Sequence, residues 1–362
     1  MNILGMWHRP FEKNTQVVNQ TLKELKSMGI TDIFLETFFN GKSIFPCKKS
    51  IFDIHDFVID YDIYGKNLLT CFIEEGRKYH IKVHAWVENF FIGVYKNKRS
   101  IHLYHKYPQY FLKTFENDIF QKEEANYVFL DPINPLVQKH ILKIYEQISQ
   151  EDIASLHLDY IRYPLSYHQT IHDLEGDSGY TDYALKVFSN QMHIDQSFIK
   201  ERILTDEKVL NAWKKFKIET INQWVKKVKH IMRDKKISTA IFGDIKHAIH
   251  YKMQDWESWI HSKWIDILIP MAYYKDASKI ASEIREIKKY NIKMITGLAP
   301  LYMGQNLDEE FHSVKVSLTE NNEGIVLFAS QKYLDNSFTG IQDNKHIRDS
   351  WSQFLESRRQ HV

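Results

Sequence analysis

The segment Ser155-Leu156-His157-Leu158-Asp159 alternates polar and apolar residues with the period of a β-strand, so Ser155, His157 and Asp159 share one face and the two leucines the other. A carboxylate on such a face is costly to bury unless it is paired or used. Asp159 is therefore the first candidate for acid–base or nucleophilic work, with a structural ion pair to Arg162 as the alternative. Its candidate partners are Asp244, in Gly243-Asp244 after another apolar run, and Glu36, which closes Asp32-Ile33-Phe34-Leu35-Glu36. Gly-Asp after a strand is also an ordinary turn signal. Paired carboxyl groups flank a glycosidic bond, one as acid and the other as base or nucleophile, while aromatic faces stack on sugar rings. Trp7 and Trp86 are the candidate stacking platforms. His84, Glu88, His157, Arg162, Tyr163, Tyr273 and Tyr302 are the candidates for holding sugar hydroxyls and rings. The two histidines lack carboxylate or cysteine partners at ligand spacing, so hydroxyl binding or an interior role is expected of them and no metal site is predicted.

Residues so far apart in the chain need a scaffold that gathers strand ends. Short β-rich runs alternate with amphipathic helical stretches throughout. The periodicity predicts strands at 2–7, 32–37, 81–87, 153–160, 237–242, 265–270, 293–297 and 324–328. Helices are predicted at about 15–28, 65–79, 135–149, 208–232, 253–261, 277–290, 307–320 and 345–358. Eight strands each followed by a helix predict an α/β fold, a (β/α)8 TIM barrel, with 1–362 as a single domain. Neither G-x-G-x-x-G after the first strand nor G-x-x-x-x-G-K-[ST] occurs, so dinucleotide and P-loop sites have no foothold. In such barrels the site is built at the C-terminal ends of the strands, where all the candidates lie. Two long insertions, about 88–133 and 162–207, follow the third and fourth strands and are expected on that face as cleft walls. Tyr95, Tyr104, Tyr107, Tyr110 and Phe111 in the first of them either extend the binding surface or pack on the barrel.

The chain has 362 residues, 43% hydrophobic and 26% charged, and its 13 Gly and 8 Pro exclude collagen-like and low-complexity classes. With 48 basic against 46 acidic residues there is no field to attract nucleic acid or an anionic membrane, and the lysine-rich stretch 214–229 reads as a solvated helix face. Recognition must come from a site, for which an oligo- or polysaccharide is the expected partner. The oligomeric state stays open. No stretch approaches the ~18 apolar residues of a membrane span. The first ten residues carry no signal-peptide pattern, so the chain as written is expected in the cytoplasm; a trimmed leader, and an extracytoplasmic place, would leave the same start. Cys47 and Cys71 are expected as free thiols. No cofactor is indicated.

Leu156-His157-Leu158-Asp159-Tyr160-Ile161-Arg162-Tyr163-Pro164 resembles the strand-four signature of the glycosyl-hydrolase-like 10 family of bacterial (β/α)8 proteins. The resemblance runs over nearly the whole chain through Gly5-Met6-Trp7, Phe34-Leu35-Glu36-Thr37, His84-Ala85-Trp86, Leu130-Asp131-Pro132, Asn134-Pro135, Gln254-Asp255-Trp256, Asp266 and Pro270-Met271-Ala272-Tyr273. It implies glycosidase activity on bacterial cell-wall or exopolysaccharide glycans. Some relatives act on peptidoglycan strands stripped of peptide and more distant ones on poly-N-acetylglucosamine. It also implies that Asp159 is catalytic, leaving Asp244 and Glu36 as partners argued from strand position. The resulting expectation is a glycoside hydrolase working by carboxylate acid/base catalysis, an N-acetylhexosamine-containing polymer being favoured. A glycan-binding barrel with weak or no turnover is the alternative.

Overall fold

A computed structural model describes residues 3–46, 67–97, 103–167, 169–321, 323–334 and 344–359. Eight parallel strands form the barrel: β1 Ile3–His8, β2 Asp32–Phe39, β3 Lys82–Glu88, β4 Ser155–Asp159, β5 Ile237–Ile241, β6 Ile267–Pro270, β7 in two pieces, Lys293–Met294 and Thr296–Leu298, and β8 Gly324–Leu327. Consecutive strands pair from β1 to β6, and β8 pairs with β1. The first piece of β7 pairs with β6 and the second with β8, which joins the two ends of the sheet into a near-closed barrel.

Around the barrel run α1 Thr15–Ser27, α2 Leu68–Lys78, α3 Pro135–Ile148, α4 Asp182–Met192, α5 Gln196–Thr205, α6 Glu207–Met232, α7 Ile245–Lys252, α8 Trp256–His261, α9 Ala277–Lys288, α10 Leu307–Glu320 and α11 Lys345–Arg359. Local sequence sets their ends. Asn14 accepts from Val17 N to start α1, whose buried Val18, Leu22 and Leu25 follow helical spacing, and Gly29 beyond it sits at φ 77°. Asn134 caps α3 just ahead of Pro135, which fits the first turn because its missing N–H is not needed there.

Strand alternation divides the apolar residues between two cores. Ile33 and Leu35 of β2, Val83, Ala85 and Val87 of β3, and Leu156 and Leu158 of β4 pack outward under the helices. Trp7, Phe34, Trp86, Ile267, Ile269, Ile295 and Val326 form the cluster that fills the barrel.

The structure differs from the periodicity in three places. The helix expected at 253–261 is α8, which starts at Trp256, and the unexpected α7 precedes it over Ile245–Lys252; Met253, left-handed at φ 56°, separates the two. The segment between β4 and β5 carries α4 and α5, which pack with α6 on a separate core of Leu174, Phe188, Ile199, Ile203 and Trp213. Between β3 and α3 runs a small antiparallel sheet of Phe91–Val94, Phe120–Gln121 and Tyr127–Phe129. Tyr110 and Phe111 in this segment are 8% and 0% exposed, so of the two expected alternatives they take the packed one. Cys47 lies outside the described residues, and Cys71 is buried in α2.

Candidate active site

Glu36, Glu88 and Asp159 arrive at the C-terminal ends of three neighbouring strands, β2, β3 and β4. The period of two explains this: Asp32, Phe34 and Glu36 fall on one face, as do His84, Trp86 and Glu88, and Ser155, His157 and Asp159. Glu88 is opposite Asp159 in the strand register, and Glu36 is opposite Trp86 with a bulge just beyond it. Arg9, the residue after β1 and 43% exposed, reaches across this layer. Its Nε is 3.3 Å from Glu36 Oε1 and its Nη2 is 3.8 Å from Glu88 Oε1. Its guanidinium carbon is 5.8 Å from the ring centres of both Trp86 and Phe328.

Glu36 and Glu88 are each 1% exposed, lie under the same Arg9 guanidinium and act on one another electrostatically. Neither Glu36 oxygen receives an aligned hydrogen bond from an N–H or O–H group. Burial, opposed by the charge of Arg9, pushes Glu36 up to about 7. Burial and then the negative charge of Glu36 push Glu88 well above the ordinary carboxylate range. Two like charges this close under one arginine do not both ionise, so the pair retains a proton and titrates as a unit.

Asp159 is partly exposed and has different partners. Burial raises its pKa, against the pull of the Tyr160 N–H, Arg162, the Trp86 indole and Arg9. Its Oδ1 accepts from Tyr160 N at 2.7 Å and its Oδ2 from Trp86 Nε1 at 3.0 Å. Tyr160 is held at φ 48°, a conformation uncommon outside glycine, and its ring stacks on Phe91 at 4.4 Å. Behind the strand, Asn89 fixes the Asp159 carbonyl twice, through its backbone N at 3.0 Å and its Nδ2 at 2.7 Å. Asn89 Oδ1 in turn accepts from Trp224 Nε1 at 3.0 Å and from the Tyr145 hydroxyl.

Several expected ligand-holding residues turn to partners inside the protein. His84, 5% exposed, bonds Asp32 at 2.9 Å and Ser155 at 2.6 Å. His157, fully buried, accepts from Trp7 Nε1 at 3.1 Å and lies 3.0 Å from Ser238 Oγ. An indole N–H only donates, so His157 Nε2 is the acceptor and its Nδ1 carries the proton toward Ser238. Arg162, 5% exposed, forks onto Glu124 at 2.7 and 3.1 Å, and Tyr163, 2% exposed, faces Lys217. These interior bonds satisfy groups that burial would otherwise leave unpaired: the two histidines take the interior one of their two expected roles, and for Arg162 and Tyr163 the expectation of sugar contact is corrected. Trp7 and Trp86, at 2% and 1% exposed, offer no open stacking face. Tyr302 does: it is 63% exposed and packs edge-on against Phe328, whose ring is also 5.9 Å from that of Tyr273.

Asp244 is not brought to Asp159. Its Oδ1 accepts from Lys246 N and His247 N, capping α7, and its charge acts on Tyr274 and Glu283 instead. The carboxyl partners that gather near Asp159 are Glu36 and Glu88, the latter expected only as a substrate contact. Arg9 and Asn89 are functional positions that no sequence motif marks. Arg9 follows Trp7-His8 at the end of the first strand, and that position was the available signal. Ser330, His8 and Glu12 are hydrogen-bonded in series at 2.8 and 3.0 Å, but all three are fully buried and tie β1 to the end of β8. Among the described residues no group of three His, Cys, Asp or Glu side chains is arranged to hold a metal ion, and no helix is long and apolar enough to cross a membrane.

Solved structures with the same fold include the catalytic domain of β-amylase from Paenibacillus polymyxa, at TM-score 0.64 and 11% identity over 98% of each chain. A β-galactosidase from Halorubrum lacusprofundi matches at TM-score 0.65 and 10% identity, covering 98% of this chain and 58% of that one. The α-L-fucosidase isoenzyme 2 from Paenibacillus thiaminolyticus matches at 0.63 and 11%, over 99% of this chain, which spans only 49% of the fucosidase. At such identities the likeness is one of fold. Comparison with curated proteins finds no match. The sequence profile of one family matches residues 6–317, most of the barrel and the whole carboxyl layer, and by that match the chain belongs to the glycosyl hydrolase-like 10 family.

Proposed function

We propose that the protein is a glycoside hydrolase in which Asp159 and the Glu36–Glu88 pair divide the catalytic work. The observation that carries this reading is the layer of three carboxyl groups on neighbouring strand ends, set in two different electrostatic states. Asp159 is partly exposed and accepts two N–H bonds, which favour its ionised form against the upward push of burial. It acts on the anomeric carbon, directly or through a water. Glu36 and Glu88 keep a proton near neutral pH and supply it to the leaving oxygen, with Arg9 placed to respond to the charge left behind. A separation near ~5 Å between the working carboxyl groups goes with retention of configuration and ~6.5–9.5 Å with inversion, so product stereochemistry reads the spacing in the occupied site. The substrate favoured by the family resemblance is an N-acetylhexosamine-containing glycan of the bacterial cell wall or of an exopolysaccharide, and the exposed Tyr302 beside Phe328 is the surface on which a sugar ring packs.

A glycan-binding barrel with little turnover has one observation in its favour: Glu36 and Glu88 are 1% exposed beneath Arg9. One experiment separates the two readings. Reducing-end release is measured for the wild type and Asp159→Asn on denuded peptidoglycan glycan, partly deacetylated poly-N-acetylglucosamine and α- and β-glucans. The hydrolase reading expects release from an N-acetylhexosamine polymer, reduced at least ~10²-fold by the substitution with affinity retained. Binding without release by either protein would establish the glycan-binding barrel.

A further inference from the structure

Asp244 stands at a cavity of its own, about 550 Å³, between the C-terminal end of β5 and α9. That volume is within the range of small-molecule sites. Glu283 reaches into it from α9. Its Oε2 accepts from the Tyr274 hydroxyl at 2.7 Å, while its Oε1 is shielded from solvent and has no hydrogen-bond partner. Gly243 makes room for this carboxyl group, since a Cβ there would meet Glu283 Cδ at 2.2 Å. Trp256, held by its Nε1 to Phe242 O at 3.0 Å, meets Tyr290 edge-on with ring centres 4.9 Å apart. The acidic lining residues Asp244, Glu283 and Glu286 are matched by Lys246, Lys279 and Lys289, so the cavity carries no net formal charge.

A lining with balanced charge, the Tyr290 ring and the Tyr274–Glu283 hydroxyl–carboxyl pair fits a neutral, hydroxyl-rich ligand better than an anion or a cation. We infer that this cavity is a second carbohydrate site, which holds one or two neutral sugar residues of the polymer away from the carboxyl layer. The inference rests on the carbohydrate reading above. Glu283 and Tyr274 take the hydroxyl groups and Tyr290 packs against the ring. The two sites share the end of β6: Tyr273 lies in the field of Asp159 and Arg9, and the next residue, Tyr274, lines the cavity. A polymer lodged at the second site keeps a neighbouring stretch close to Asp159, which raises the effective concentration of cleavable bonds without altering the chemical step.

Affinity electrophoresis of the Asp159→Asn protein tests this in gels carrying partly deacetylated poly-N-acetylglucosamine, solubilised denuded peptidoglycan glycan or β-glucan. Retardation by at least one polymer is expected. It should weaken by at least about threefold when Tyr290→Ala removes the ring or Ser282→Trp, at an exposed lining position, fills the space. In the protein that keeps Asp159, the same two changes should leave cleavage of a tetrasaccharide from that polymer within about twofold, measured at a temperature at which both variants are fully folded. No retardation, or retardation indifferent to both changes, overturns the second site. Retardation that depends on Tyr290 in a protein that hydrolyses nothing overturns the catalytic reading and leaves the second site standing.

Discussion

Glu36 and Glu88 lie 1% exposed beneath Arg9, so ionising both would bury two like charges beside a single cation. The folded pKa of Glu36, about 7, is above its ordinary 4.5, so the folded state binds this proton more tightly than the unfolded chain does. The contribution to stability is therefore full below pH 4.5 and is lost as pH rises through about 7. Thermal unfolding at pH 5 and pH 8 checks the sign: the wild-type midpoint should fall over that interval by more than that of Glu36→Gln, which has no carboxyl proton to lose. A variant with the same pH dependence would show that the proton resides elsewhere. If the pair is also the general acid, kcat/KM should decline above about pH 7, and Glu36→Gln should both lower the rate and displace this alkaline limb. A reduced rate with an unmoved limb would leave Glu36 a structural group.

Asp159 is held at its strand end through Asn89, α3 and α6, and the role proposed for it depends on that placement. Asn89 is fully buried and links the Asp159 carbonyl to Tyr145 of α3 and Trp224 of α6. Asn89→Ala leaves a buried hydroxyl and a buried indole N–H without their acceptor, at about 1–3 kcal/mol for each group. Denaturant unfolding should show a loss of at least ~2 kcal/mol, and activity at temperatures where the variant is fully folded should fall as well, because the carbonyl anchor of Asp159 is gone. A stable Asn89→Ala with unchanged activity would mean that the β3–β4 pairing alone positions Asp159. The contrast between these residues shows what a sequence can and cannot reveal. Asp159 was legible because strand alternation is local, and Ser155-Leu156-His157-Leu158-Asp159 displays it without reference to the rest of the chain. Asn89 was not, since its partners are 56 to 135 residues away. Asp244 misled for the opposite reason: a carboxylate after a strand reads the same whether it enters the barrel mouth or caps the next helix, and α7 begins one residue later. The eight strands were legible because each is a short run between turn signals, whereas the break between α7 and α8 depends on the backbone of one residue, Met253.

The long segments after β3 and β4 are bound to the barrel through a shared charge cluster. Glu124 from the first segment accepts from Arg162, just beyond β4, at 2.7 and 3.1 Å, and from Lys252 at the end of α7 at 2.9 Å. The two cations are 5% and 2% exposed. Burial pushes Glu124 upward, but Arg162 and Lys252 outweigh it and hold the carboxyl down at about 2, while burial and Arg162 depress Lys252 to about 7. A lowered carboxyl pKa reverses the sign seen at Glu36: the contribution is present above 4.5 and is lost as pH falls through about 2, so the cluster adds to acid unfolding. Glu124→Ala leaves the Arg162 cation without its counter-ion and lets the buried Lys252, already down at about 7, give up its proton, and removing one member of a buried ionic group costs about 3–5 kcal/mol. The denaturant midpoint of Glu124→Ala should drop accordingly. Arg162→Met and Lys252→Met added to that variant should recover most of the loss, because the buried guanidinium charge and the unpaired amine are then both gone. Recovery would identify uncompensated charge as the cause. A triple variant as unstable as Glu124→Ala would instead point to the packing of Arg162 over Phe129, Tyr160 and Phe242, at 5.5, 5.1 and 5.5 Å, as what joins the segments to the barrel.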